Sequence, residues 1–179
     1  MTEISEHYRR LSDAFAAKIA AVPADAWSAT TPCEQWTVRD LVKHVAETPS
    51  MFFGLIEKEP PALPDDPAAG FAAAKAGMQA ALDDPATAQT EFDGFFGRTT
   101  FEKAVDRFVL FDLLVHGWDL AKATGQDASI SAEDLERLEQ GAQQFGDAAR
   151  APGVFGPELD VPADADRQTK LLAFLGRRA

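Results

Sequence analysis

Between residues 101 and 123 the apolar side chains Phe101, Val105, Phe108, Val109, Leu120 and Ala123 recur at three- and four-residue steps, as on one face of a helix. Asp112, His116 and Asp119 fall inside the same stripe. A helix that buries this face buries those polar groups with it, and a carboxylate in an apolar interior is costly unless something pairs with it. The stripe therefore predicts either a cation held among the three groups or a closed hydrogen-bond network. "TTFE" at 99–102 reads as a capping box that opens this helix, and Gly125 as its C-cap.

The rest of the chain is patterned for helix as well. Ile4, Tyr8, Leu11, Phe15, Ile19 and Val22 mark a first amphipathic helix that Pro23 ends. Thr37 is an N-cap with Asp40 as its capping partner, opening a second helix with Val38, Leu41, Val42, Val45, Phe52 and Leu55 on one side. Pro49 predicts a kink or a break there. An alanine-rich helix spans about 67–82, and "TEFDGFFGRTT" is a short hairpin or an irregular loop around its D-G pair. "SAED" at 131 opens a helix running to about 149, and an extended stretch then leads to a short helix at about 165–175, stopped by Gly176. Abundant alanine fits this reading. The expectation is all-α: a single domain over residues 1–179, a bundle of about four main helices with a short C-terminal helix and an extended segment.

Bulk properties remove several function classes. The net charge of -12 argues against nucleic acid or an anionic membrane as partner, because both need clustered Lys and Arg. Cys33 is the one cysteine, so an internal disulfide and a zinc site built on cysteines are excluded. No apolar run approaches the roughly 20 residues of a membrane span, and "MTEISEHYRR" lacks the apolar core of a signal peptide. The expected location is the cytoplasm.

Two stretches echo each other, "DLVKHVAE" at 40–47 and "DLLVHGWD" at 112–119. Residues i and i+4 share a helix face, so one helix can offer both Asp112 and His116 to one ion. The second copy looks inward in full. The first contributes mainly His44, at the edge of the stripe of Leu41, Val45, Thr48 and Phe52, while Asp40 and Glu47 turn towards solvent. With 29 acidic residues in 179, such spacing also arises by chance, so a buried Asp–His hydrogen bond stays open as the rival reading. Two imidazoles and one carboxylate are a ligand set of catalytic zinc that leaves a fourth position free. The set also suits Fe2+, and Ni2+ or Mn2+ remain open. Asp119 would stand behind the ligands, accepting the free N–H of His44 or His116.

Other residues have plain expectations. His7 is a surface or half-buried residue, and Cys33 a packed small residue with nothing cationic beside it in sequence. Trp27, Trp36 and Trp118 are packing residues, Trp118 directed at the C-terminal segment. Phe52 and Phe53 belong to the core, with a substrate pocket as the alternative, and Glu47 is an exposed carboxylate rather than an extra ligand or base. The pairs Asp65–Asp66 and Asp83–Asp84 mark solvated helix ends. Arg9 and Arg10 are too few to make an anion site.

"TPCEQWTVRDLVKHV", "LVHGWDLAKATG" and "GVFGPELDVPADADRQTKLLAFLGR" together resemble the actinobacterial maleylpyruvate isomerase-like family, whose members resemble the metal-binding domain of mycothiol-dependent maleylpyruvate isomerase within the DinB/YfiT-like superfamily. The resemblance implies a four-helix bundle with a divalent metal near one end of its core, held at the positions of His44, Asp112 and His116. It also implies a low-molecular-weight thiol such as mycothiol and a small electrophile as partners. The isomerase has a further domain that supplies a catalytic arginine, and this chain is expected to lack it, so the isomerisation itself is not carried over. The leading expectation is an enzyme that uses a divalent metal, most readily Zn2+, with a mycothiol-like thiol or water on a small electrophile. A non-catalytic metal- or ligand-binding bundle is the alternative, and homodimerisation through a helix face is open.

Overall fold

The computed structural model describes residues 2–33, 36–94, 96–150 and 154–179. The chain is mostly helical. In order it forms α1 (Glu3–Ala20), a 3-10 turn (Ala26–Ser28), α2 (Val38–Leu55), α3 (Pro67–Asp83) and the single turn α4 (Pro85–Ala88). A hairpin of β1 (Glu91–Gly94) and β2 (Gly97–Thr100) leads into α5 (Phe101–Ala104), a π turn (Val105–Val109) and α6 (Leu110–Thr124). Then come α7 (Ala132–Phe145), a 3-10 stretch (Gly146–Arg150) and α8 (Arg167–Phe174). Among the described residues no helix is long and apolar enough to cross a membrane.

α1 and α2 each lie against both α3 and α6. The core they enclose holds Tyr8, Phe15, Leu41, Val42, Met78, Leu82 and Leu120. Phe15 and Phe71 meet across it with ring centroids 4.9 Å apart. Burying each such side chain contributes roughly 1.5–3 kcal/mol. α6 has a second apolar face, where Phe111 and Val115 pack on Leu135, Leu138 and Ala142 of α7 and on Leu171 of α8 with the adjoining Leu175. With cores on both sides, α6 is buried almost all round, from Val115 to Ala121 without interruption. A single stripe therefore understates it.

Several local expectations hold. The Thr37–Asp40 capping box forms in both directions, Ser131 caps α7, and Gly125 closes α6 at φ 69. Asp66 and Asp84 cap α3 and α4 through their side chains, and Asp83 accepts from Ser5 and Arg9.

Others need correction. α2 runs unbroken through Pro49. The hairpin exists, but Gly94 pairs with Gly97, so the D-G pair lies on a strand rather than at the turn. The "TTFE" capping box does not form. Thr99 is held in the hairpin against Phe92, Thr100 is the N-cap without a side-chain hydrogen bond, and Glu102 accepts from Gln89 at 2.6 Å instead. The π turn fits an extra residue into the helix, so positions before and after it are out of register on one helical wheel. His7 is buried rather than half-buried, because the start of α1 sits against Asp134 of α7, 3.5 Å from its imidazole.

Candidate metal centre

α2 and α6 each bring part of one cluster. On α2 the capping box fixes the first turn, Val38, Leu41, Val42 and Val45 are buried, and His44 is left at the edge facing α6. Thr48, one turn on, donates to the carbonyl of His44 at 2.9 Å and lies 3.3 Å from its Nε2. On α6, Asp112 and His116 both follow the π turn, so their i,i+4 relation is intact. Asp112 Oδ1 is 3.2 Å from His116 Nε2 and Asp112 Oδ2 is 3.6 Å from His44 Nε2. One donor atom from each of the three residues lies within 4.8 Å of the other two. The expected trio is thus brought together, across 68 positions of sequence from His44 to Asp112.

Behind His116 stands a second row. Asp119 Oδ2 accepts from His116 Nδ1 at 2.9 Å, so of the two imidazoles it is His116 that Asp119 holds. Arg177 grips the same carboxylate, with Nε 3.0 Å from Oδ1 and Nη2 3.0 Å from Oδ2. Cys33 donates its S–H to Asp119 Oδ2 at 3.2 Å and lies 3.3 Å from Arg177 Nη2. Nothing cationic stands beside Cys33 in sequence, but in space a guanidinium does, brought from 144 positions away.

Trp36 is more than a packing residue. Its ring lies 4.5 Å from that of His44 and 5.7 Å from that of His116, covering one side of the cluster. A backbone bridge between Thr30 and Thr37, with Trp36 N–H donating to the carbonyl of Cys33, brings Cys33 and Trp36 over the ends of α2 and α6. Trp118, by contrast, lines a small cavity with Leu11, Phe15 and the 128–131 stretch. Phe52 and Phe53 are core residues, and Phe52 also edges a cavity of about 410 Å³ shared with Met51, Phe96 and Phe108. Glu47 is exposed and faces Lys43. Arg10 is taken by Asp134 at 2.6 Å.

The electrostatics are those of an imidazole between two carboxylates. Burial opposes the charge on Asp112, but His116 and His44 outweigh it and hold its carboxyl well below the usual range. Burial likewise opposes a proton on His116, yet Asp112 and Asp119 keep its pKa well above the ordinary imidazole value. Asp119 is held low by His116 and Arg177 against the same desolvation.

The donors suit a divalent ion. The two histidine nitrogens approach different oxygens of Asp112, at 3.2 and 3.6 Å, and one donor atom from each residue lies within 4.8 Å of the other two, close enough to converge on one ion with small side-chain adjustments. His44 is 36% exposed at its side chain, so the cluster is open on the side away from Asp119. Cys33, His116 and Asp119 are also close enough to share an ion, but Arg177 and the Nδ1–H of His116 already occupy that carboxylate.

Sequence comparison adds an independent line. Residues 8–121 match the family described as the mycothiol maleylpyruvate isomerase N-terminal domain, a stretch that holds His44, Asp112, His116 and Asp119 but not Arg177. Two uncharacterized proteins of Mycobacterium tuberculosis, from strains CDC 1551 / Oshkosh and H37Rv, are each 34% identical over 174 residues, covering 95% of both chains. No solved structure matches significantly. With its helices, its paired histidines and this match over most of its length, the chain belongs to the mycothiol maleylpyruvate isomerase N-terminal domain family.

Proposed function

We propose that the protein binds one divalent ion through His44, Asp112 and His116 and uses it as an enzyme on a small electrophile, with a mycothiol-like thiol or water as the second reactant. The observation that carries this reading is the convergence of three donors from two helices, within 4.8 Å of one another and open on one side. Two nitrogens and one oxygen favour Zn2+, with Ni2+, Mn2+ and Fe2+ accepted by the same set. When bound, such an ion would supply Lewis acidity that brings the pKa of a coordinated water down towards about 7 and ionises a coordinated thiol outright. The thiol is suggested by the family's description, and the reading includes a cytoplasmic location, where a low-molecular-weight thiol would be met. We read the four packed helices α1, α2, α3 and α6 as a DinB-like four-helix bundle, and the two cores sharing α6 as one domain.

The chain's own residues have distinct tasks in this reading. His44 and Asp112 form the open rim where a reactant arrives. Trp36 keeps water from the ring faces of both histidines. Asp119 holds the Nδ1–H of His116, which turns the Nε2 lone pair to the ligand side.

The rival is a metal-free network, favoured by the fact that both ring nitrogens of His116 already meet a carboxylate. Elemental analysis of purified wild type and His116→Ala separates the two. About one equivalent of metal in the wild type and none in the variant supports the site, and an equal metal content in both removes it. Thiol-transfer assays on the metal-loaded wild type then test catalysis, since a loaded but inactive protein leaves the non-catalytic binding role.

A further inference from the structure

We infer that Arg177 is a positioning residue of this centre: it holds Asp119 in the orientation that fixes His116, and so ties the C-terminal tail to the ion. This rests on the metal reading above.

Arg177 lies outside the residues that the family match covers, yet its guanidinium reaches the carboxylate behind His116. Its side chain is 10% exposed and that of Asp119 is not exposed at all. A buried ion pair is weak support for stability, because desolvation offsets much of the attraction. Its place directly behind a ligand is therefore the more informative fact. The guanidinium spans both carboxylate oxygens, Nε to Oδ1 at 3.0 Å and Nη2 to Oδ2 at 3.0 Å. Such a fork fixes the carboxylate plane as well as its distance. The oxygen that accepts from His116 Nδ1 is thereby held in place from the other side.

The tail is built to deliver this side chain. α8 ends in a left-handed turn at Gly176, φ 79, with Arg177 N–H donating to the carbonyl of Leu172 at 2.8 Å and Gly176 N–H to that of Ala173 at 3.0 Å. A Cβ at residue 176 would lie 2.7 Å from the Cα of Gly156, so both the conformation and the close approach require glycine. Nη1 of Arg177 also donates to the carbonyl of Leu175 at 2.9 Å, locking the guanidinium against its own turn. Leu171 and Leu175 anchor the segment in the second core. By linkage, whatever tail docking adds to ion affinity, ion binding returns to tail docking.

Zn2+ affinity of the metal-stripped full chain, measured by competition with a chromophoric chelator, tests this. Arg177→Gln weakens binding by up to about 10-fold, the low end of the loss when a ligand's own partner is removed because Arg177 acts one step further back through Asp119, and Arg177→Lys recovers part of it. In an Asp119→Asn background Arg177→Gln adds little, because the route to His116 is already cut. Equal weakening in both backgrounds, or none in the wild-type background, overturns the inference. A second measurement needs no variant: Zn2+ should slow hydrogen exchange of the amides at 172–177 in the wild type, and unchanged exchange overturns the coupling. If the wild type takes up no Zn2+, or His116→Ala takes it up equally well, the metal reading itself fails and this inference falls with it. If only the Arg177 results fail, the metal site stands alone.

Discussion

Asp112 and His116 stand one helical turn apart on α6 with Oδ1 and Nε2 separated by 3.2 Å. The other nitrogen of the same ring meets Asp119 at 2.9 Å. The contacts that would hold a proton on His116 in the metal-free chain are therefore those that present Nε2 to an ion when the proton leaves. If the centre takes an ion as proposed, proton and metal compete for that one nitrogen.

That competition sets the first prediction. Because Asp112 and Asp119 keep the His116 pKa well above the ordinary value, loading the metal-free protein at neutral pH should release a proton for each ion bound. Calorimetric titration with Zn2+ in buffers of different ionisation enthalpy measures this directly. Affinity should weaken as the pH is lowered, and binding without proton release would mean that His116 is not a ligand.

Asp112→Asn separates the ligand from its charge. The side chain keeps its size and lies partly open at the rim, so the fold should survive. Zn2+ affinity is expected to fall by more than about 100-fold, beyond the loss for a residue one step behind the ion. In the metal-free variant the histidine loses the anion that raises its pKa most, so its pKa should drop towards the ordinary value. An NMR titration of the His116 ring reads that shift.

Legibility in the sequence followed the reach of each interaction. Asp112 and His116 were visible because i,i+4 geometry is local to one helix, although only His116 is buried while Asp112 lies partly open at the rim. His44 could be placed only at a helix edge, since its partners belong to another helix. Arg177 left no local signal: it meets Asp119 from 58 positions away, and a glycine turn, not a pattern of residues, aims it. Trp36 looked like any packing aromatic until the Thr30–Thr37 bridge turned it over the histidines. The "TTFE" box failed because the hairpin, which depends on pairing with residues 91–94, claimed its threonines first. Helix periodicity located the elements, and tertiary contacts decided their ends.

α7 approaches α6 closely at one point, and the third prediction tests it. A Cβ on Gly141 would lie 2.8 Å from the ring of Phe111, which also packs on Phe145 and Phe155. Gly141→Ala gains helix propensity of up to about 1 kcal/mol, but overpacking a tight contact costs about 1–3 kcal/mol. Because Phe111 is hemmed in by two other rings, we expect net destabilisation by about 1 kcal/mol. Urea unfolding of the metal-free proteins measures it. A more stable variant would show that the second core yields easily around α6.

His7 and His116 should tilt the stability of the metal-free fold in opposite directions with pH. Burial, with Arg137 and Arg10 nearby, depresses the His7 pKa, and Asp134 only partly offsets this. Its unfolded form therefore takes up a proton first as the pH falls through about 6.5, and the fold loses stability there. His116 has a raised folded pKa, so its contribution is fully present below about 6.5 and is lost as the pH rises through that folded value. His7→Gln removes the first effect and leaves the second. The variant should gain on the wild type between pH 7.5 and pH 5, read as the difference in urea midpoint at each pH with metal removed. If that difference is the same at both values, the buried imidazole of His7 titrates as freely in the folded chain as in the unfolded one.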